Sequence, residues 1–352
     1  MQYQSFCAAN SGKGFISFFD SILDEKNKMV YYIKGGPGCG KSTLMRRIAE
    51  KAENAELILC SGDPDSLDGL ILTKENAVII DATAPHSHEP IYPGIGGNII
   101  DLGIGWQPEK LNKKKIIHLC EEKGKAYKTC YKILSSAKAL QEGVFFPLKN
   151  QIPFQKIAMI GDKILKQNAL WEHHTEKATI DKRFLSGISP HGRITHSETF
   201  EKIGKNIILL EDRWLQSSYL LEYIEQNLKE REIPHINGYH PLFGEPFLQH
   251  LIIPKANLSI ITKDGLFPIE IDGENIIRTI SMQNLISKEH LSLHKNKLSF
   301  MKRLLRELLD LAGESLKHAR DLHQKIEEEY AKGYSFEAAE DLKIKLMNNL
   351  FG

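Results

Sequence analysis

Short apolar runs separated by glycine, acid or lysine mark the first hundred residues: Val30–Ile33, Glu56–Cys60, Ala77–Ile80 and Asn98–Leu102. Runs of this length suit buried strands. Thr43–Ala52, between the first two, has the spacing of a helix. Upstream, Gly12-Lys13-Gly14 reads as a turn, and Phe15, Phe18, Phe19, Ile22 and Leu23 fall at helical spacing, predicting an amphipathic helix. From Glu109 to Glu142 the period is helical again, with Ile116, Leu119, Tyr127, Cys130, Leu134 and Ala137 three or four apart. A break at Phe146–Pro153 and a second helix over Gln155–Glu176 complete a predicted helical hairpin.

This order recurs after a shift of about 180 residues. Gly192 and Ile194 answer Gly14 and Ile16, and Asn206–Leu210 answers the first strand. Leu220–Ile224 answers the helix after it, Leu248–Ile253 answers Leu67–Leu72, and Asn257–Ile261 answers Asn76–Ile80. Asn275–Ile277 stands for Asn98–Ile100, and Gly313 for Gly124. A long helix over Lys288–Ala331 and a last one, capped by Ser335 and ending near Leu350, repeat the hairpin. The predicted fold is α/β: two tandem, duplicated, three-layer domains with mostly parallel sheets, residues 1–180 and 181–352.

The chemistry is not repeated. Gly35-Gly36-Pro37-Gly38-Cys39-Gly40-Lys41-Ser42 fits G-x-x-x-x-G-K-[ST], between a predicted strand and a helix that begins near Thr43. Glycines let backbone N–H groups converge on phosphate oxygens, at φ angles that a Cβ would make costly. Lys41 is placed to reach β- and γ-phosphates, Ser42 to ligate Mg²⁺, and the helix N-terminus to face the anion. The second half has Glu211-Asp212-Arg213-Trp214-Leu215-Gln216-Ser217-Ser218 there, without glycine or lysine. A second site of this type is not expected. Arg213 is a candidate arginine finger or a surface ion pair.

Asp81 ends the run Ala77-Val78-Ile79-Ile80-Asp81, about forty residues after Lys41, and is the expected partner of Ser42 at Mg²⁺. Asp63 and Asp65 lie in Ser61–Gly69, read as an acidic turn past a strand end. Strand ends of this kind gather ligands, so either acid could be a base or hold a Mg²⁺-bound water; helix capping by Asp63 or Ser66 is the structural alternative. Residues 82–97 carry three prolines and three glycines and form a loop over the expected site. Within it Thr83 could donate to phosphate, and His86 could stabilise charge, act as acid–base or simply face solvent. His86, His88 and Glu89 resemble part of a metal set that lacks a fourth ligand.

Composition narrows the class. Of 352 residues, 46 are Lys or Arg and 45 Asp or Glu, a formal net charge of +1 that indicates neither nucleic acid nor a membrane surface as partner. Five scattered cysteines, one of them Cys39, fit a reducing cytoplasm. No apolar run reaches membrane-spanning length.

The whole-chain arrangement resembles a family of uncharacterised bacterial proteins, mostly from Firmicutes, described as tandem P-loop ATPases or nucleotide-binding proteins. The resemblance rests on the Gly35–Thr43 loop, the D-P-D-S-L-D run at Asp63–Asp68, the D-x-T-x-P-H run at Asp81–His86, and Tyr92-Pro93-Gly94. It implies ATP as ligand and assigns no further substrate. The reading is therefore an Mg²⁺-ATP-binding NTPase with one site and a degenerate second half as scaffold or partner surface. A small-molecule kinase and a non-hydrolysing nucleotide switch are the alternatives. No N/T-K-x-D sequence is placed to select guanine.

Overall fold

The computed structural model describes residues 1–84, 87–149, 152–172, 178–213 and 215–352. His86 and the His173-His174 pair lie outside the described residues. The chain forms two six-stranded mixed sheets, each followed by a long helix. The elements are β1 (Gln2–Ser5), β2 (Ala8–Ser11), β3 (Gly14–Ser17), β4 (Met29–Lys34), α1 (Lys41–Lys51), β5 (Ala55–Cys60), β6 (Asp63–Leu72), β7 (Ala77–Asp81) and β8 (Gly97–Asp101). Then come α2 (Lys113–Lys149) and α3 (Phe154–Gln167). The remaining elements are β9 (Ile180–Arg183), β10 (Ser186–Ser189), β11 (Gly192–Thr195), α4 (Ser197–Ile203), β12 (Asn206–Glu211), α5 (Ser217–Glu230), β13 (His235–Tyr239), β14 (Leu248–Ile253), β15 (Leu258–Lys263), β16 (Ile276–Ser281), α6 (Lys288–Ala331) and α7 (Glu340–Phe351).

The first sheet has the order β1-β5-β6-β7-β4-β8 and the second, read from its other edge, β9-β13-β14-β15-β12-β16. Strand directions match as well. In each sheet one strand, β6 or β14, runs antiparallel to both neighbours and every other pairing is parallel. Even the small hairpins agree. In β2–β3 Ser11 Oγ donates to the Gly14 carbonyl at 2.6 Å, and in β10–β11 Ser189 Oγ donates to the Gly192 carbonyl at 3.1 Å.

Three of the five pairings in each sheet are parallel, so the sheets are mostly parallel as expected, and three local expectations are corrected. The sheets are mixed because β5 and β6 are joined only by Ser61-Gly62, too short for the crossover that a parallel pair needs. For the same reason Ser61–Gly69 is not a long acidic turn. Asp63–Leu72 is a strand, with Leu67, Leu70 and Leu72 buried between β5 and β7, so no helix begins there for Asp63 or Ser66 to cap. Phe15–Leu23 is not a helix either: β3 is taken up by pairing with β2, and a short 3₁₀ turn over Phe19–Ser21 buries Phe19. Ser335 does not cap α7, which starts at Glu340 after Ala339; its amide donates instead to the Gly105 carbonyl.

Contacts divide the chain into two compact units, each assembled from separated stretches. The first comprises Met1–Ser5, Phe19–Thr129 and Glu314–Gly352; the second comprises Phe6–Phe18 and Cys130–Gly313. Unit 1 therefore contains the first sheet together with the last part of α6 and all of α7. Its central strands β4 and β7 are buried throughout, from Val30 to Ile33 and Val78 to Ile80. That core sets the height at which Gly35 and Asp81 emerge side by side. In unit 2, Leu185, Phe200, Ile207, Leu209, Ile252 and Ile261 form one core cluster. Among the described residues, no helix is long and apolar enough to cross a membrane.

Candidate functional site

The loop between β4 and α1 carries positive φ at Gly35 (140°), Gly38 (75°) and Gly40 (85°). Gly40 stands in the left-handed region at the N-cap of α1 with no side-chain cap, so the first amides of the helix are left to other acceptors. The neighbours leave little room for side chains. A Cβ on Gly35 would lie 2.7 Å from Cys39 Sγ, and one on Gly36 would lie 2.9 Å from the Trp106 indole. Cys39 is fully buried, and burial pushes its thiol pKa up against the opposing pull of Lys41.

Lys41, the first residue of α1, turns back over the loop. Its Nζ donates to the carbonyls of Gly35 at 2.7 Å and Gly36 at 2.9 Å, and stands 3.6 Å from Asp81 Oδ2. Pairing of β4 with β7 puts Ile33 opposite Asp81, which accounts for this meeting. Burial raises the Asp81 pKa, while Lys41 and Thr83 oppose the shift. Thr83 donates both its amide, at 3.0 Å, and its hydroxyl to Asp81 Oδ1. It orients the carboxylate and does not point outward as a phosphate donor. Ser42 Oγ accepts the Leu67 amide at 3.0 Å, which ties the start of α1 to β6. The loop after Asp81 is held from below. Glu25 accepts the amides of Ile91 at 2.9 Å and Tyr92 at 2.5 Å, and Lys34 donates to the His88 carbonyl at 2.7 Å.

Asp63 and Asp65 open β6, and both carboxylates are engaged by Arg320 of α6. Arg320 Nε is 2.7 Å from Asp63 Oδ1, and its Nη2 pairs with Asp65. Asp63 also accepts the Ser66 hydroxyl at 2.8 Å, and Arg46 of α1 donates to the Asp65 carbonyl. Neither acid is thus presented as a free base.

The sequence reading missed what α6 brings. Arg320, His323, Glu327 and Tyr330 follow one another at helical spacing beside the buried stripe of Leu322 and Ile326, which packs on Leu119 of α2. Lys115 pairs with Glu329 at 2.7 Å and reinforces that seam. The backbone of Glu327 lies against the Gly35–Ser42 loop: a Cβ on Gly38 would sit 3.0 Å from its carbonyl oxygen. Burial and Asp63 hold the Glu327 carboxyl above its usual pKa, against Lys41 and Lys123. His323 Nε2 is 3.8 Å from Glu327 Oε1, and its Nδ1 is 3.3 Å from Lys123 Nζ. Burial, with Lys123 and Lys41 adding to it, lowers the His323 pKa to about 4, so the ring is neutral near pH 7. Trp106, Tyr330, Tyr334 and Phe336 then form an aromatic chain with ring centroids 4.8–5.0 Å apart, running from Gly36 to Gly40. A charged helix flank nearly 280 residues after the loop carries no local signal of such a role: beside an apolar stripe it reads as a solvated face.

The donor set fits a polyphosphate with a divalent ion. Helix amides without a side-chain cap, left-handed glycines and the Lys41 ammonium lie together, with the Ser42 hydroxyl and the Asp81 carboxylate as oxygen groups that could hold the ion. Among the described residues, no group of three or more His, Cys, Asp or Glu side chains is arranged to hold a metal by itself. Arg213 lies in unit 2, where it is exposed and contributes to the cationic surroundings of Lys302. Comparison of the chain with protein-family models, curated proteins and solved structures finds no match, so the reading of this site rests on its own geometry.

Proposed function

We propose that the protein is a Mg²⁺-dependent ATPase of the P-loop type with one nucleotide site, Gly35–Thr43 with Asp81. The observation that carries this is Lys41, held at the start of α1 between the carbonyls of a left-handed glycine loop and the Asp81 carboxylate. In this reading the amides of residues 36–43 hold the β-phosphate, and Lys41 leaves its carbonyl contacts to bind β- and γ-oxygens. Ser42 and Asp81 hold the ion, and Thr83 keeps the Asp81 carboxylate turned towards it. Bound Mg²⁺ neutralises charge on the triphosphate and holds it in one geometry. The shared strand order of the two sheets supports an internal duplication in which the second copy serves as scaffold. Hydrolysis is preferred over transfer to a small acceptor because Asp63 and Asp65, the candidate kinase bases, are paired with Arg320.

The test is thermal stabilisation by ATP, ADP and GTP with and without Mg²⁺, followed by phosphate release in the absence of an acceptor. ATP with Mg²⁺ is expected to stabilise most and to be hydrolysed. Lys41→Ala is expected to lose the shift and the turnover while keeping its far-UV circular dichroism. Unchanged ATP affinity in that variant would overturn the assignment. Turnover that appears only when an acceptor is added would make the protein a kinase.

A further inference from the structure

Of the four rings in the aromatic chain beside the Gly35–Ser42 loop, only that of Phe336 is exposed, at 50 %. The segment that carries it is pinned to the turn after β8. Trp106 and Tyr334 form an isolated strand bridge, and the Gln107 amide donates to the Gly333 carbonyl and the Ser335 amide to the Gly105 carbonyl, both at 2.8 Å. Tyr334 is buried, donates its hydroxyl to the Leu102 carbonyl at 2.9 Å and meets the Phe336 ring edge-on with centroids 4.9 Å apart. Lys343 Nζ stands over the same ring, 5.7 Å from its centroid. A Cβ on Gly40, the N-cap of α1, would lie 3.7 Å from Phe336 Cε1. Topology sets the side. β4 pairs with β7, which ends in Asp81, along one edge and with β8 along the other. Phe336 is thus tied to the β8 side of the loop, while Lys41 reaches Asp81 on the β7 side.

We propose that Phe336 is the platform on which the base of a nucleotide stacks. The inference rests on the nucleotide-site reading above and adds to it the group that distinguishes a nucleotide from a bare polyphosphate. With the terminal phosphates and the ion drawn to Lys41 and Asp81, the nucleoside end leaves the loop towards β8, where the Phe336 ring stands at the start of α1. A base stacked there covers apolar ring surface that is otherwise in water, and offset stacking of two π-systems adds to that burial. Tyr334 and the backbone bonds on either side of it already hold the ring, so little freedom is lost when the base arrives. A polyphosphate has no base and gains nothing from Phe336.

The experiment is isothermal titration of the full chain, in the presence of Mg²⁺, with ATP and separately with inorganic tripolyphosphate. Four proteins are compared: wild type, Phe336→Ala, Phe336→Trp and Ile344→Ala, the last removing an exposed apolar side chain from α7. Phe336→Ala is expected to bind ATP about tenfold more weakly than wild type, the worth of one base–aromatic stack, and tripolyphosphate equally well. Phe336→Trp, which keeps a π-face, and Ile344→Ala are expected to bind both ligands like wild type. Unchanged ATP affinity in Phe336→Ala would overturn the platform and leave the phosphate site standing. Equal losses for ATP and tripolyphosphate would also overturn it, since Phe336 would then only support the loop. A loss in Phe336→Trp or Ile344→Ala as large as in Phe336→Ala counts against it in the same way. If wild type binds neither ligand, the nucleotide-site reading itself fails and the inference falls with it.

Discussion

The matched strands β4 and β12 end in opposite ways. After β4 the chain makes a glycine loop with three left-handed residues and delivers Lys41 to Asp81. After β12 it places Asp212, almost fully buried, so that its carboxylate accepts the Ser217 amide at 2.6 Å at the start of α5. The register is the same in both sheets: Ile33 pairs with Asp81 and Leu210 with Thr262. Thr262 thus stands where Asp81 would be, and its hydroxyl donates to Ser217 Oγ at 3.0 Å. One helix N-terminus has no side-chain cap; the other is met by an internal carboxylate. The lesson is that two sheets can share a topology while the loops at their edges differ in chemistry, because strand pairing and loop chemistry draw on different residues.

That contrast can be broken most sharply at Asp81. Asp81→Asn keeps the size of the side chain and removes the charge at the ion position, so Mg²⁺-dependent turnover is expected to fall about a hundredfold, roughly 3 kcal/mol, with little loss of nucleotide binding. Phosphate release measured against Mg²⁺ concentration checks this; full turnover in the variant would remove Asp81 from the site.

The corresponding change in the other unit acts on stability alone. Asp212→Ala leaves the buried Ser217 amide without its carboxylate, at an expected cost of about 2 kcal/mol in urea unfolding. ATP affinity should not change. Altered ATP binding in Asp212→Ala would mean that the second loop takes part in nucleotide recognition after all.

The smallest effect per unit is the pH response of the second sheet. His240 and His250 are buried, and burial lowers both pKa values from 6.5 to about 3, with His240 adding to the shift at His250. Their neutral rings are built in: the Leu242 amide donates to His240 Nδ1 at 3.2 Å and the Thr262 amide to His250 Nδ1 at 3.3 Å. Between pH 6.5 and about 3 the unfolded chain binds protons that these rings refuse, so stability falls as pH falls through that window. The slope is on the order of 1.4 kcal/mol per pH unit for each histidine. Melting temperatures from pH 7 to pH 4 measure it, and a smaller slope in His250→Gln would assign the share of that ring.

Much of this was legible in the residues. The apolar runs located β4, β5, β7, β8, β12, β14 and β15 to within a residue or two and the start of β16, whose end at Ser281 they missed by four residues, and the long helix over Lys288–Ala331 has the bounds expected of it. The turn at Gly35–Ser42 between β4 and α1, and the placement of Asp81 at the end of β7, were legible because glycine spacing and an apolar run ending in an acid are local signals. Asp63 and Asp65 were visible as acids but not as partners of Arg320, and β6 was read as a turn because its first residues carry Pro64 and three acids or hydroxyls. A strand built on polar residues is set by its neighbours, and pairing with β5 and β7 is information from outside the segment.

By itself, the sequence determined where the backbone could take up left-handed turns, where apolar strands would form and which half carries the glycine-rich loop with its lysine; these are local properties of residue type and spacing. Only the tertiary structure decided that the sheets are mixed, that Thr83 orients Asp81, that Arg320 pairs with Asp63 and Asp65, and that the backbone of Glu327 lies against Gly38. Such partners are brought in by core burial at Leu119, Leu322 and Ile326, and burial is blind to the charges it carries along on the neighbouring face of the same helix.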